Sequence, residues 1–226
     1  MKKIIAVVLL LACACATLSS CGEAKDAVAS VNRMFSAYAP TRIYTTTEFV
    51  AGDYTLTGTH EIKTGYIDGK RASSSVRDYE ELIPWEEAGV SDYVTLPWTR
   101  VKEVKYYHED RGLRIGGGKW DPTGDDFAPM AGDIAPNFTT KNVKNVKNDT
   151  KAKTISFTVP GEKAFDVFGF EGIVDSDIDV VITHDGSVIT GITLSYTIYG
   201  YETNYPDVEI TIVTLYSYSA ETITFD

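Results

Sequence analysis

Between Thr154 and Val159 every second residue is apolar: Ile155, Phe157 and Val159 alternate with Thr154, Ser156 and Thr158. A period of two puts successive side chains on opposite faces, so the segment is a strand with one buried face. The pattern returns at Ile192, Leu194, Tyr196 and Ile198 within 188–199, and Val208, Ile210, Ile212, Tyr216 and Tyr218 within 207–218 answer it. Strands this amphipathic must lay their apolar faces on a shared core. A further strand falls at 177–183, and Asn148-Asp149 and His184-Asp185-Gly186 supply turns. The expected order is sequential antiparallel hairpins, a meander rather than a βαβ alternation.

The first half speaks the same language in threonine, tyrosine, valine and isoleucine. Strands are expected near 42–50 and 54–66, joined at Ala51-Gly52-Asp53, and another follows Asp68-Gly69. Two more fall near 101–108 and 113–115, joined by Glu109-Asp110-Arg111-Gly112, and Glu221 to Phe225 is expected to add an edge. Helical spacing is confined to two places. Ala27, Val28, Val31, Met34, Phe35 and Tyr38 mark an amphipathic helix that Pro40 closes, its Met34 and Phe35 read as core. A short second helix is expected from Glu162 to Phe168. The fold class is α+β.

Two stretches lack either period: 82–98, with Pro84, Trp85, Pro97 and Trp98, and 116–137, with Gly116-Gly117-Gly118, Trp120, Pro122, Pro129, Met130 and Pro136. Connections this long are often lids or binding loops. Equally, their aromatic residues can cover a sheet edge or barrel end. The lysine triplet of Lys141 to Asn148 reads as a solvated strand edge, where lysine discourages strand-to-strand aggregation.

The chain opens on Met1-Lys2-Lys3, runs uncharged from Ile4 to Ala16, and continues Thr17-Leu18-Ser19-Ser20-Cys21-Gly22. A positive start, a short apolar run and small residues at its end are the parts of a secretory signal. The run falls short of the roughly 20 apolar residues that span a bilayer. Residues 1–20 are therefore expected to be a signal peptide, and 21–226 one exported domain.

Cys13, Cys15 and Cys21 are all the cysteines there are, so the domain beyond Cys21 has no thiol pair, no thiolate zinc site and no cysteine nucleophile. Removing residues 1–20 leaves 206 residues with 19 basic and 32 acidic side chains, a net charge of −13. That size suits one domain with a sizeable core, and that charge argues against nucleic acid and against broad attraction to anionic lipid headgroups. Known catalytic patterns fail on inspection. His60, His108 and His184 lie far apart, with no H-E-x-x-H arrangement. Asp175, Asp177 and Asp179 open like a calcium loop, but Val180 stands where glycine is needed and Gly186 where glutamate is needed. Gly116-Gly117-Gly118-Lys119 lacks the earlier glycine of a phosphate loop, since Leu113 is there, and Trp120 replaces its serine or threonine. No cofactor, metal or catalytic residue is expected, and a monomer that is not an enzyme is.

Leu18-Ser19-Ser20-Cys21 resembles the lipobox of bacterial lipoproteins, which implies diacylglycerol on Cys21 and a lipid-anchored domain on the outer face of a bacterial membrane. Two acyl chains suffice for stable anchoring, at about 0.8 kcal/mol per buried methylene. With that lipobox and the amphipathic helix come Tyr44-Thr45-Thr46-Thr47-Glu48-Phe49, Ile155-Ser156-Phe157-Thr158-Val159 and the hairpin Asp179-Val180-Val181-Ile182-Thr183-His184-Asp185-Gly186. Ile192-Thr193-Leu194-Ser195-Tyr196-Thr197 and Tyr216-Ser217-Tyr218 follow. In order and texture the chain resembles the LolA/LolB/LppX-like lipoprotein-carrier superfamily over most of residues 24–226.

That resemblance implies a strongly curved antiparallel sheet, an incomplete barrel, with helices on its concave face and an apolar cavity between them. It implies carriage or sensing of acyl chains or lipoproteins, and no functional residue of those carriers maps onto a position here. The strand alternation nominates Phe49, Leu56, Phe157, Ile192, Leu194, Tyr196, Ile210, Ile212 and Tyr216 as wall of a cavity for a lipid or other apolar ligand. The same residues serve equally as plain core. Two functions follow: a lipid-binding lipoprotein, or an envelope protein-interaction module with a filled core.

Overall fold

The computed structural model describes residues 22, 24–52, 54–82, 98–130, 134–170, 174–199 and 207–225. The expected signal 1–20, Cys21 and the stretch 83–97 with Pro84, Trp85 and Pro97 lie outside the described residues. Helix α1 covers 24–37. Strands β1 (Arg42–Ala51), β2 (Tyr54–Ile67), β3 (Lys70–Leu82), β4 (Trp98–His108) and β5 (Gly112–Ile115) follow. Then come β6 (Lys144–Asp149), β7 (Thr154–Val159), a 3-10 turn at Gly161–Lys163 running into α2 (Ala164–Phe168), β8 (Ile178–His184), β9 (Ile189–Ile198) and β10 (Val208–Ser217).

All ten strands join one antiparallel sheet in the order β5-β4-β3-β2-β1-β10-β9-β8-β7-β6, an incomplete barrel with β5 and β6 as its two edges. Two five-stranded meanders meet where β1 pairs with β10, from Arg42 opposite Ser217 to Ala51 opposite Val208. The link from β5 to β6 must therefore pass from one edge of the sheet to the other. Its Asn137 to Val143 portion is braced by buried Asn142, which donates to the Asn137 carbonyl at 2.7 Å and accepts from Thr139 N at 2.7 Å.

Opposed residues of antiparallel strands share a face, so the register carries one face across the sheet. Phe157 opposes Val180, Val180 opposes Leu194, Leu194 opposes Ile212, and Ile212 opposes Thr47. The core sits on this concave face, over β7 to β10. Ala27, Val28, Val31, Met34 and Phe35 of α1 and Ala164 and Val167 of α2 are buried there against Ile155, Phe157, Val159, Ile178, Val180, Ile182, Ile189, Ile192 and Leu194. Full burial of such side chains contributes about 1.5–3 kcal/mol each. Tyr38, expected on the same helical face, is 64% exposed. The helix stops at residue 37 because Pro40 disfavours α conformation in the residue before it, so Tyr38 loses the helical phase.

The segment Glu221 to Phe225 does not form the expected edge strand. β10 already has β9 on one side and β1 on the other, which leaves it no free edge. The tail instead crosses the convex face, burying Ile223 and setting Phe225 edge-on to Tyr106 at 5.4 Å and Trp120 at 5.2 Å. The Arg114 guanidinium lies 4.6 Å from the Tyr106 ring and 5.2 Å from the Trp120 ring. Trp120 thus acts as a cover for the sheet, the second of the two roles open to its stretch.

At the β5 edge, Leu113 and Asp121 exchange backbone hydrogen bonds of 2.9 and 2.7 Å, turning the chain back along the sheet. This needs glycine at 112, whose φ is +79° and where a Cβ would stand 1.9 Å from the Asp121 carbonyl oxygen. Gly112→Ala is expected to cost about 1–3 kcal/mol from backbone conformation alone, with more lost as Asp121 is displaced. Amide exchange at Leu113 and Asp121 should accelerate; unchanged exchange and melting would refute this account.

Candidate functional site

Among the described residues the core cluster takes no side chain from β1 to β5. The concave face of that half instead carries a groove of about 310 Å³, at the small end of ligand sites of about 300–1,000 Å³. Its centre is Gly58, opposed by Thr47 on one side and Tyr79 on the other. Phe49 opposes Leu56 at one end, while His60 opposes Arg77 at the other. A glycine inside a strand often marks a place where a ligand or another chain comes close; here it leaves a depression between flanking side chains. Phe49 remains 37% exposed within it.

The polar end is ordered by the same register, which continues from Arg77 to Glu103 and from Ser75 to Lys105. The Arg77 guanidinium is 3.6 Å from Glu103 and lies 5.5 Å from the Tyr79 ring centre. His60 Nε2 and the buried Ser75 hydroxyl are 2.9 Å apart. Burial first, then the charges of Arg77 and Lys105, lowers the His60 pKa below 6.5, against an opposing pull from Glu103. Arg77 and Glu80 are the charged residues of the groove lining, and Lys105 and Glu103 follow on the next strand. An apolar wall beside the Arg77 guanidinium is suited to an amphiphile with an anionic head. Among the described residues the Ser75 hydroxyl is the one group within hydrogen-bond distance of the His60 imidazole, and no group of His, Cys, Asp or Glu is placed to hold a metal.

Of the nine residues nominated from the strand alternation, Phe49 and Leu56 line this groove. Phe157, Ile192, Leu194 and Ile210 are buried at 3–6% exposure, all but Ile210 in the core cluster under the helices. Tyr196, Ile212 and Tyr216 are partly buried against that same core. Tyr216 meets Phe35 edge-on at 6.0 Å, and burial, then neighbouring Tyr218, pushes its hydroxyl pKa up. The sets adjoin where Phe49 pairs with Ile210. Gly58, His60, Arg77, Tyr79, Glu103 and Lys105 were not nominated, because polar residues do not stand out in a search for apolar alternation. The one available signal was Gly58 in mid-strand.

The three histidines stay apart. His108 is buried on the convex face, 6.0 Å from the Phe225 ring, and its Nδ1 accepts from Asp110 N at 3.2 Å. His184 ends β8 beside the turn in which Asp185 accepts from the Val188 and Ser187 amides and the Ser187 hydroxyl. Those bonds pull Asp185 down to about 2.

No family model matches the chain, and no curated protein matches it. Among solved structures, a DUF1329 family protein from Desulfovibrio piger is similar at 10% identity over 89% of this chain and 94% of that one, with a TM-score of 0.29. MucB in complex with MucA(peri) is similar at 11% identity over 85% and 92%, with a TM-score of 0.15. The Pseudomonas aeruginosa MucA/MucB complex gives 12% identity over 84% and 93%, with a TM-score of 0.14. At scores this low none of the three carries a function to this chain.

Proposed function

We propose that this is an exported lipoprotein, anchored through diacylglycerol on Cys21, whose domain binds an anionic amphiphile on the concave face of β1 to β4 without catalysis. The acyl part lies on Phe49, Leu56 and Tyr79 across Gly58, and the headgroup meets Arg77 and Lys105. The observation that supports this reading is the groove itself, an unfilled depression on the same face whose other half is packed by two helices. The incomplete barrel with helices against its concave face is the architecture that resemblance to the LolA/LolB/LppX-like carriers implied. The same lipobox reading places the domain on the outer face of a bacterial membrane.

A fluorescent fatty acid titrated into the protein and two variants tests the site. Gly58→Leu fills the depression from its floor and is expected to weaken binding at least about tenfold, the equivalent of 1.4 kcal/mol. Its Cβ would meet the Tyr79 Cβ at 3.3 Å and the Asp78 carbonyl oxygen and Tyr79 Cα at an ordinary 3.9 Å, so the fold should survive. Arg77→Gln removes a charge-assisted contact that contributes about 1.5–3 kcal/mol and should weaken a fatty acid more than its methyl ester. No uptake by the unaltered protein, or uptake indifferent to both changes, would leave the interaction-module reading in its place.

A further inference from the structure

We infer that the β6–β7 hairpin lies on anionic phospholipid headgroups and sets the orientation of the domain on its membrane. The inference rests on the Cys21 anchor proposed above. In a chain of net charge −11, residues 139–153 hold five lysines, Lys141, Lys144, Lys147, Lys151 and Lys153, against one acid, Asp149. All five are exposed. Among the described residues no carboxylate forms an ion pair with any of them.

The strand is built to keep these charges together. Lys144 opposes Thr158 and Lys147 opposes Ser156, so β6 carries one more residue than β7 between them. That bulge, with Asn145 at φ +54°, returns Lys144 and Lys147 to one face; in regular pairing, residues three apart point to opposite faces. Val146 meanwhile packs against the core. Lys151 and Lys153 follow in the hairpin turn.

The anchor's position supplies the second half of the case. Asp26, Ala29, Ser30 and Arg33 of α1 line one groove with Val146, Lys147 and Asn148 of β6, so the start of the helix runs beside the lysine-bearing edge. Cys21 precedes Asp26, the first helix residue in that groove, by five residues, a reach of about 17 Å when fully extended. The acyl chains therefore enter the bilayer on the side of the domain that carries this hairpin, whose lysines act on a surface within the roughly 8–10 Å screening length at physiological salt. Lysines held there meet the negative surface of an anionic leaflet. Asp26, Asp149, Asp179 beside Lys147 and Asp185 beside Lys153 are the acids close by, four carboxylates against five lysines. Overall negative charge turns the remainder of the domain away from the same surface.

The test is amine footprinting of the full lipidated protein on vesicles of phosphatidylcholine alone and on vesicles of equal parts phosphatidylcholine and phosphatidylglycerol. Lys141, Lys144, Lys147 and Lys151 should label several-fold more slowly on the anionic vesicles, while Lys63 and Lys102, in the other meander, keep their rates. Protection should vanish in 1 M salt, where screening shortens to about 3 Å, and in the K144E/K147E/K151E variant. Equal labelling on both vesicles, with the protein still bound to them, would overturn the orientation alone. Failure to associate with phosphatidylcholine vesicles at all would overturn the anchor and the orientation together. Protection by an acidic peptide but not by anionic vesicles would overturn the lipid assignment in favour of a protein partner.

Discussion

Phe138→Ala is expected to remove about 3–5 kcal/mol of stability, the range for an aromatic ring deleted from a packed core. Phe138 is 1% exposed, although it belongs to no helix or strand. Its ring meets Phe157 of β7 edge-on at 4.7 Å and Phe168 of α2 at 5.8 Å, and its carbonyl accepts from Asn32 of α1 at 2.9 Å. One residue of the connecting segment thus ties together the sheet and both helices. Edge-to-face pairs contribute about 0.5–1.5 kcal/mol beyond area burial, so the upper part of the range is expected. Equilibrium urea unfolding followed by tryptophan fluorescence and by far-ultraviolet circular dichroism measures it. A loss below about 1 kcal/mol would mean that the segment is held by its backbone and Asn142 rather than by the ring.

Leu194 offers the second large effect, and it separates core from cavity. It is 6% exposed, opposed by Val180 and Ile212, and inside the cluster covered by α1 and α2. Leu194→Ala should cost about 2–5 kcal/mol, and Leu194→Trp should destabilise by about 1–3 kcal/mol through overpacking. Leu56→Ala, on the partly exposed wall of the groove, should cost less than Leu194→Ala and reduce fatty-acid uptake instead. Thermal melts and binding measured on the three variants give the comparison. A Leu194→Trp protein that melts like the parent and no longer takes up fatty acid would place the ligand under the helices and empty the β1 to β4 groove of its role.

The alternation at Ile155, Phe157 and Val159 sufficed to place β7 from Thr154 to Val159, because an amphipathic strand states its own period. Helix α1 was equally legible up to residue 37, one residue short of Tyr38. The tail from Glu221 to Phe225 was not: its composition suits a strand, but whether a strand forms depends on a free edge, and β1 occupies the one it would need. Phe138 was passed over for a related reason. Nothing periodic surrounds it, and its burial arises from elements more than ten residues away on either side.

The residues alone determined the antiparallel meander, the two helices, the absence of cysteine beyond Cys21 and the apolar face of each clear strand, since all of these follow from local spacing and side-chain type. They could not assign that face to core or to cavity, because Phe49 and Leu194 alternate alike with their neighbours. Tertiary structure decided it by where the helices rest. α1 and α2 cover β7 to β10, burying Leu194 and Phe157, and leave Gly58, Phe49, Leu56 and Tyr79 to form a groove on the other meander. The physical reason is that one face can be filled only where something is laid upon it, and the β1–β10 pairing that determines which strands lie beneath the helices joins residues as far apart as Arg42 and Ser217.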